Sequence, residues 1–201
     1  MRLGLLYSGG KDSSLAAYLL ERLGFDVRLV TVTFGVTEGW RHARESAAAL
    51  GFSHEVLRLG RDVLEEAGRL VVQQGYPRQA FDHIHRTALQ RLASGYRVLS
   101  DGTRRDDRTP RIGLSDYRAL ESRDGVEYLP VLWGFGHRTI NRLCSELFEI
   151  EEGESSKINK GDYEGELRAF LMERGLNVEK LFPMHTQTRV VSWRSKGCQR
   201  F

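Results

Sequence analysis

The chain is 201 residues long, 40% hydrophobic and 28% charged, with a formal charge of +3. That length suits one compact domain with a small extension, and the absence of any run near the roughly 18 apolar residues of a membrane span argues against an integral membrane protein. The first residues already read as a strand rather than a leader peptide, and only Cys144 and Cys198 are present, so no disulfide framework is expected and a cytoplasmic location is.

Residues 3–7 form an apolar run that ends on a Ser-Gly-Gly turn and reads as a buried strand. Beyond it Leu15, Tyr18, Leu19 and Leu23 recur at helical spacing, with Gly24 as a stop signal. Residues 27–34 (VRLVTVTF) are rich in β-branched side chains and predict a second strand. A helix over 40–50 closed by Gly51, a third strand over 53–59, and helices over 61–74 and 79–93 separated by Gly75 and Pro77 follow. A short strand at 96–99 precedes the polar segment SDGTRRDDRTPR at 100–111. A fifth strand is predicted at 126–132 and a helix at 137–148. Residues 149–162 read as a surface loop. The last helix, 163–174, reads as a surface helix packing Leu167, Phe170 and Leu171, with Glu164 and Glu166 on its polar side. Strands alternating with helices predict an α/β, Rossmann-like doubly wound parallel sheet of five strands with a short helical C-terminal extension. The expected boundary lies near residue 150, separating an α/β domain over 1–150 from a helical extension and basic tail over 151–201. In such a sheet the turns after the first and fourth strands share the edge where ligands bind.

The chemistry concentrates in that first turn. Two successive glycines let the backbone approach an anion, and the amides of the turn and the following helix form a cradle for phosphate oxygens. Ser8 and Ser13 add hydroxyls, Lys11 a point charge, and Asp12 a carboxylate placed to help hold Mg²⁺. Lys11 stands out because the chain has 25 arginines and only 5 lysines. A Walker loop needs Ser or Thr straight after Gly-Lys, where this chain has Asp12, and no G-x-G-x-x-G fingerprint occupies this turn.

The segment LYSGGKDSS resembles the PP-loop of the ATP pyrophosphatase superfamily, S-G-G-x-D-S, at every core position and in its strand-turn-helix context. Members include tRNA thiolation enzymes, tRNA-Ile lysidine synthetase, ATP-dependent amide synthetases and diphthine-ammonia ligase. The resemblance implies a HUP-type fold and ATP with Mg²⁺ as cofactors. It also implies attack of a substrate oxygen on the α-phosphorus, with pyrophosphate released. Residues 8–13 would bind ATP, Lys11 and Asp12 would be catalytic, and Thr31, Thr33 and Phe34 at the end of the second strand would frame the adenine. After the fourth strand, Asp101, Gly102 and Thr103 occupy the place of a second nucleotide-contacting loop, with Asp101 as a further catalytic or Mg²⁺-binding residue. Asp106 and Asp107 are alternatives to it, and Arg104, Arg105 or Arg108 are candidates to meet the α-phosphate.

Two readings of the C-terminus stand side by side. Arg189, Trp193, Arg194, Lys196 and Arg200 combine cations with aromatics, as a tRNA contact would, whereas an ordinary solvated tail needs no such role. His83 and His85 lie two apart on a helix, a spacing unsuited to a metal pair. His185 reads as a surface or packed histidine, Cys144 as core and Cys198 as exposed. The lack of Cys-x-x-Cys and of a third cysteine counts against a thiolase. The expected activity is therefore ATP-dependent adenylation, with tRNA as the acceptor for thiolation or amination. Amide ligation on a small carboxylate and ATP sensing without turnover are the alternatives, and a subunit contact remains open.

Overall fold

Continuous apolar runs in the first two strands require a sheet covered on both faces, and the computed structural model, which describes residues 1–154 and 161–194, has one. Strands β1 (Arg2–Leu6), β2 (Asp26–Thr33), β3 (Ser53–Arg58), β4 (Val98–Ser100) and β5 (Glu127–Tyr128) are all parallel, in the order β3-β2-β1-β4-β5. The chain winds outward from β1 to β3, then crosses back to β4 on the other side. The switch point thus falls between β1 and β4, where carboxyl-end turns diverge and leave a crevice.

On one face, Leu3, Leu5 and Leu29 pack under helices α1 (Lys11–Arg22), α2 (Trp40–Leu50) and α6 (His137–Leu147). On the other, Leu6, Val30, Val32 and Leu99 meet α3 (Arg61–Gln74), α4 (Arg78–Leu92) and α7 (Tyr163–Met172). Each fully buried leucine contributes roughly 1.5–3 kcal/mol, so the three at 0% exposure under α1, α2 and α6 anchor the central strands. Gly51 and Gly75, both in the left-handed region, close α2 and α3 as expected.

Four segments depart from the sequence expectation. The fifth strand is reduced to two residues, preceded by α5 (Leu114–Ala119) and a π-helical turn Leu120–Asp124. The expected loop from residue 149 begins as strand β6 (Phe148–Glu154), which pairs antiparallel with β7 (Thr186–Trp193). Helix α7 and the short α8 (Val178–Leu181) lie between them. Local sequence hid the β6–β7 pair because its two strands are far apart along the chain and β6 is acidic. Finally, Glu164 and Glu166 are buried, at 9% and 4% exposure, rather than solvated. Among the described residues no helix is long and apolar enough to cross a membrane.

Candidate functional site

The turn after β1 is shaped by what lies behind it. Gly9 has φ +83°, and a β-carbon there would stand 3.1 Å from the Ala43 Cα, so this position favours glycine on two counts. The carbonyls of the turn are taken from the rear. Gly161 N–H donates to Ser8 O (3.0 Å), Val190 N–H to Gly9 O (2.9 Å) and Ser13 Oγ to Gly10 O (3.2 Å). Gly10 then opens α1 as its N-cap with extended backbone and no side-chain cap. Among the described residues the amides of Gly10 and Lys11 meet only the hydroxyls of Ser8 and Thr188, both at 3.4 Å. With carbonyls bonded behind and amides loosely held in front, the turn is an electropositive nest. Lys11 Nζ lies 2.7 Å from Asp12 Oδ1, and Asp12 Oδ2 lies 3.4 Å from Arg104 Nε. Cys144 sits beneath, its Sγ 3.5 Å from Lys11 O; burial, with the Asp12 charge, pushes its thiol up to about 12. It is core, as expected.

The facing wall follows β4. Asp101 is 2% exposed, and its two oxygens accept four hydrogen bonds. Oδ2 takes His85 Nε2 (2.6 Å) and the Tyr128 hydroxyl (2.5 Å), while Oδ1 takes Thr103 N–H (2.9 Å) and Thr103 Oγ1 (2.6 Å). Burial opposes the charge, but these bonds and the His85 ring together hold the carboxyl below its ordinary range. His85 Nδ1 continues the chain to the Tyr163 hydroxyl at 3.1 Å. The Thr103 bonds fold the segment so that Gly102 lies on α1. A β-carbon on Gly102 would fall 2.7 Å from Ser13 N and 2.8 Å from Ser13 Cα, so only glycine lets the two walls close.

The third wall comes from the C-terminal region. Asp162 caps α7, accepting from Gly165 N–H (3.0 Å), and its other oxygen accepts from Gln187 Nε2 (3.1 Å). His185 stands 3.4 Å from Glu164, whose carboxyl is pushed up by burial and by Asp162. Glu166 ties α7 to the end of β2, accepting from Thr33 Oγ1, Phe34 N–H (2.9 Å) and Val36 N–H (3.1 Å).

Together the walls enclose a cleft of about 270 Å³. Ser8, Gly10, Lys11, Asp12 and Ser13 line it, as do Asp101, Gly102 and Thr103, so both sequence-predicted segments meet in one place; Gly9 is directly adjacent in the turn. Thr31, Thr33 and Phe34 do not line it. Strand alternation turns Thr31 and Thr33 away and puts Val30 and Val32 there, with Leu6 and Phe81 as further apolar lining, while Phe34 lies past the end of β2. Thr31 points away, donating to Tyr7 O (2.7 Å) and sitting 2.8 Å from His54 Nε2. His85, Tyr163, Asp162, His185, Gln187 and Thr188 line the cleft without having been singled out as site residues. No local spacing could reveal His85, since its partner Asp101 arrives through a separate strand.

The basic C-terminus is engaged with the body over the part described. Arg189 pairs with Glu45 (3.3 Å) and Glu151 (3.1 Å), and Arg194 with Glu149 (3.0 Å). Trp193 packs on Tyr18 and Phe148, and its indole N–H donates to Leu50 O (3.2 Å). These residues form a packed strand and its end rather than a free cationic tail. Lys196, Cys198 and Arg200 lie outside the described residues.

Comparison with known proteins places this arrangement among relatives. A protein of Methanocaldococcus jannaschii named Uncharacterized protein MJ0690 is 45% identical over 191 residues, covering 95% of this chain and 96% of its own. A crystal structure described as a predicted subunit of tRNA methyltransferase from Methanocaldococcus jannaschii superposes with a TM-score of 0.90 at 44% identity, covering 97% of this chain and 98% of that one. The U34-tRNA thiolase NcsA of Methanococcus maripaludis, solved with its 4Fe–4S cluster, aligns with a TM-score of 0.50 at 17% identity over 72% of this chain and 55% of its own, a likeness of fold alone. The model of a family of unknown function, DUF7411, matches residues 1–192, and the chain belongs to that family.

Proposed function

We propose that this protein binds ATP in the cleft between residues 8–13 and 101–103 and transfers its AMP group to an oxygen of a tRNA or tRNA-derived substrate with release of pyrophosphate, AMP leaving when a nitrogen or sulfur nucleophile displaces it. One observation carries the reading: the N-terminus of α1 at Gly10, without a side-chain cap and with Lys11 beside it, opens into a cleft that is also lined by apolar side chains. The amides and Lys11 suit the β- and γ-phosphates, and Leu6, Val30, Val32 and Phe81 suit a purine face. A substrate oxygen would bond to the α-phosphorus as the α–β phosphoanhydride breaks, and pyrophosphate would leave into the cradle. The protein's share is positioning and charge neutralisation.

Mg²⁺ fits Asp12 better than Asp101. A carboxylate offers about four lone-pair directions, and Asp101 already uses four. Asp12 retains acceptor capacity and faces the same cleft, and one carboxylate plus phosphates and water is an ordinary Mg²⁺ shell. When bound, the ion would neutralise phosphate charge. Asp101 instead acts as a positioning residue that holds Gly102 against α1. The tRNA element is supported by the relative described as a predicted tRNA methyltransferase subunit.

Incubating the protein with ATP, Mg²⁺ and small RNA should release pyrophosphate and leave AMP bonded to the RNA oxygen, to be freed as AMP when an added ammonia or sulfide donor, or water, displaces it. Release of ADP and orthophosphate would overturn the proposal, and ATP binding with no turnover on any RNA or extract would favour a sensor.

A further inference from the structure

Beside the cleft, and sharing Asp107 and Thr109 with it, lies a second groove of about 410 Å³ lined by Arg78, Arg105, Arg108, Arg111 and Tyr76. All four arginines are exposed residues, and among the described residues none pairs with an acid. The two acids in the groove are already engaged. Asp107 accepts from Arg104 N–H (2.8 Å), Nε (2.9 Å) and Nη2 (2.5 Å), while Asp106 accepts from His137 N–H (3.0 Å) and stands 3.1 Å from its Nδ1. The segment is fastened to α4, with Thr109 Oγ1 donating to Arg78 O (3.2 Å) and Asp82 (3.1 Å), and Arg111 N–H donating to Asp82 (2.8 Å). Four arginines against two acids in the groove, none of the four in an ion pair among the described residues, give a fastened surface with a positive excess that suits a polyanion. This is the opposite of Arg189 and Arg194, which acids on the body neutralise.

We infer that this arginine groove is the RNA-docking surface, and that it leads the bound strand's reactive group into the cleft. The inference deepens the proposed function and rests on it for what happens in the cleft. Guanidinium forks grip phosphate oxygens in pairs, and their planes, with the 44%-exposed Tyr76, offer faces for unstacked bases. An acidic peptide would find the charges without a use for the exposed ring. The shared lining residues Asp107 and Thr109 set the groove directly beside the cleft, so an occupant of the groove lies next to the proposed nucleotide site.

The test is binding of bulk tRNA to the full-length protein across a salt series. Replacing Arg78, Arg105, Arg108 and Arg111 together by Gln should weaken binding roughly tenfold or more at about 0.15 M salt and flatten the log–log salt slope by about 3. The matching quadruple Arg→Lys variant should regain most of the affinity, which a merely folding-related loss would not allow. Cross-linking of tRNA in the wild type should map to Tyr76. Lys11→Ala should lose pyrophosphate release yet keep tRNA affinity, so an absence of ATP turnover would fell the functional reading while leaving the groove standing. Unchanged tRNA affinity in the Gln variant, no tRNA binding by the wild type, or equal competition by polyglutamate at matched charge would each overturn the inference.

Discussion

The two walls that meet across the cleft use hydrogen bonding in opposite ways. The turn after β1 has its carbonyls bonded from behind by Gly161, Val190 and Ser13, and keeps its forward amides loosely held. The segment after β4 spends its polar groups on itself, with Asp101 saturated by His85, Tyr128 and Thr103. One wall is built to receive an anion, the other to stay where it is. Unmade bonds at the first wall are tolerable because water reaches them, whereas at a side chain 2% exposed each one lost is costly. Substitutions on the two walls should therefore fail differently, the first in chemistry and the second in stability.

The largest effect is expected at Asp101. Asp101→Ala strands four donor groups, those of His85 and Tyr128 buried, and breaking such a buried charged cluster costs about 3–5 kcal/mol, a large part of an ordinary domain's stability. Asp101→Asn, which keeps an acceptor oxygen, should lie between it and the wild type in chemical denaturation. Because the Asp101 carboxyl is held below its ordinary value of 3.8, its contribution is present above that pH and disappears as pH falls through the lower folded value. An Asp101→Ala protein that melts like the wild type but turns over no ATP would erase the distinction between the walls.

Lys11→Ala is the counterpart on the receiving wall. Lys11 is only partly buried and pairs with Asp12, so thermal melting should move little. Pyrophosphate release should fall about a hundred- to thousandfold, the scale of losing one well-placed charge-stabilising donor. Gly102→Ala tests the junction between the walls. Its new methyl would meet α1 backbone at 2.7 Å, which cannot give as a side-chain tip can. A destabilisation of about 1–3 kcal/mol with weakened nucleotide binding is expected, measurable by denaturation and by ATP titration.

The difference between the walls also explains what the sequence made legible. Residues 8–13 form a contiguous segment whose role follows from local backbone chemistry, and β1, β2 and the helix between them show in periodicity. The Asp101 cluster draws on α4, β4, β5 and α7, so its members share no spacing, and His85 reads as an unremarkable helical residue until the fold is known. Glu166 misled for the same reason: a glutamate on an amphipathic helix normally faces water, and only the end of β2 gives it donors. At the end of β2, strand parity turns the Thr31 and Thr33 side chains away and sets Val30 and Val32 toward the cleft, which a run of β-branched residues does not reveal.

The smallest effect should come from behind the receiving wall, at His54. The Thr31 hydroxyl commits its single proton to Tyr7 O, so His54 Nε2 must donate to Thr31 and the neutral ring leaves a buried Nδ1 without a partner among the described residues. Protonating that nitrogen would place an N–H where nothing accepts it. Burial first, and the Arg44 charge second, lower the ring's pKa from 6.5 to about 4. Between those values the unfolded chain binds a proton that the folded chain refuses, so stability falls as pH drops from 6.5 towards 4. His54→Gln keeps an N–H for Thr31 and removes the titration. Its stability curve should run flatter than the wild type's across that window and parallel to it above pH 7 and below pH 4. Asp101→Asn should instead depart from the wild type's slope only below the ordinary carboxylate range. Two separate acid windows would assign one wall a neutral support and the other a charged one. A single shared window would mean that the walls unfold on a common trigger.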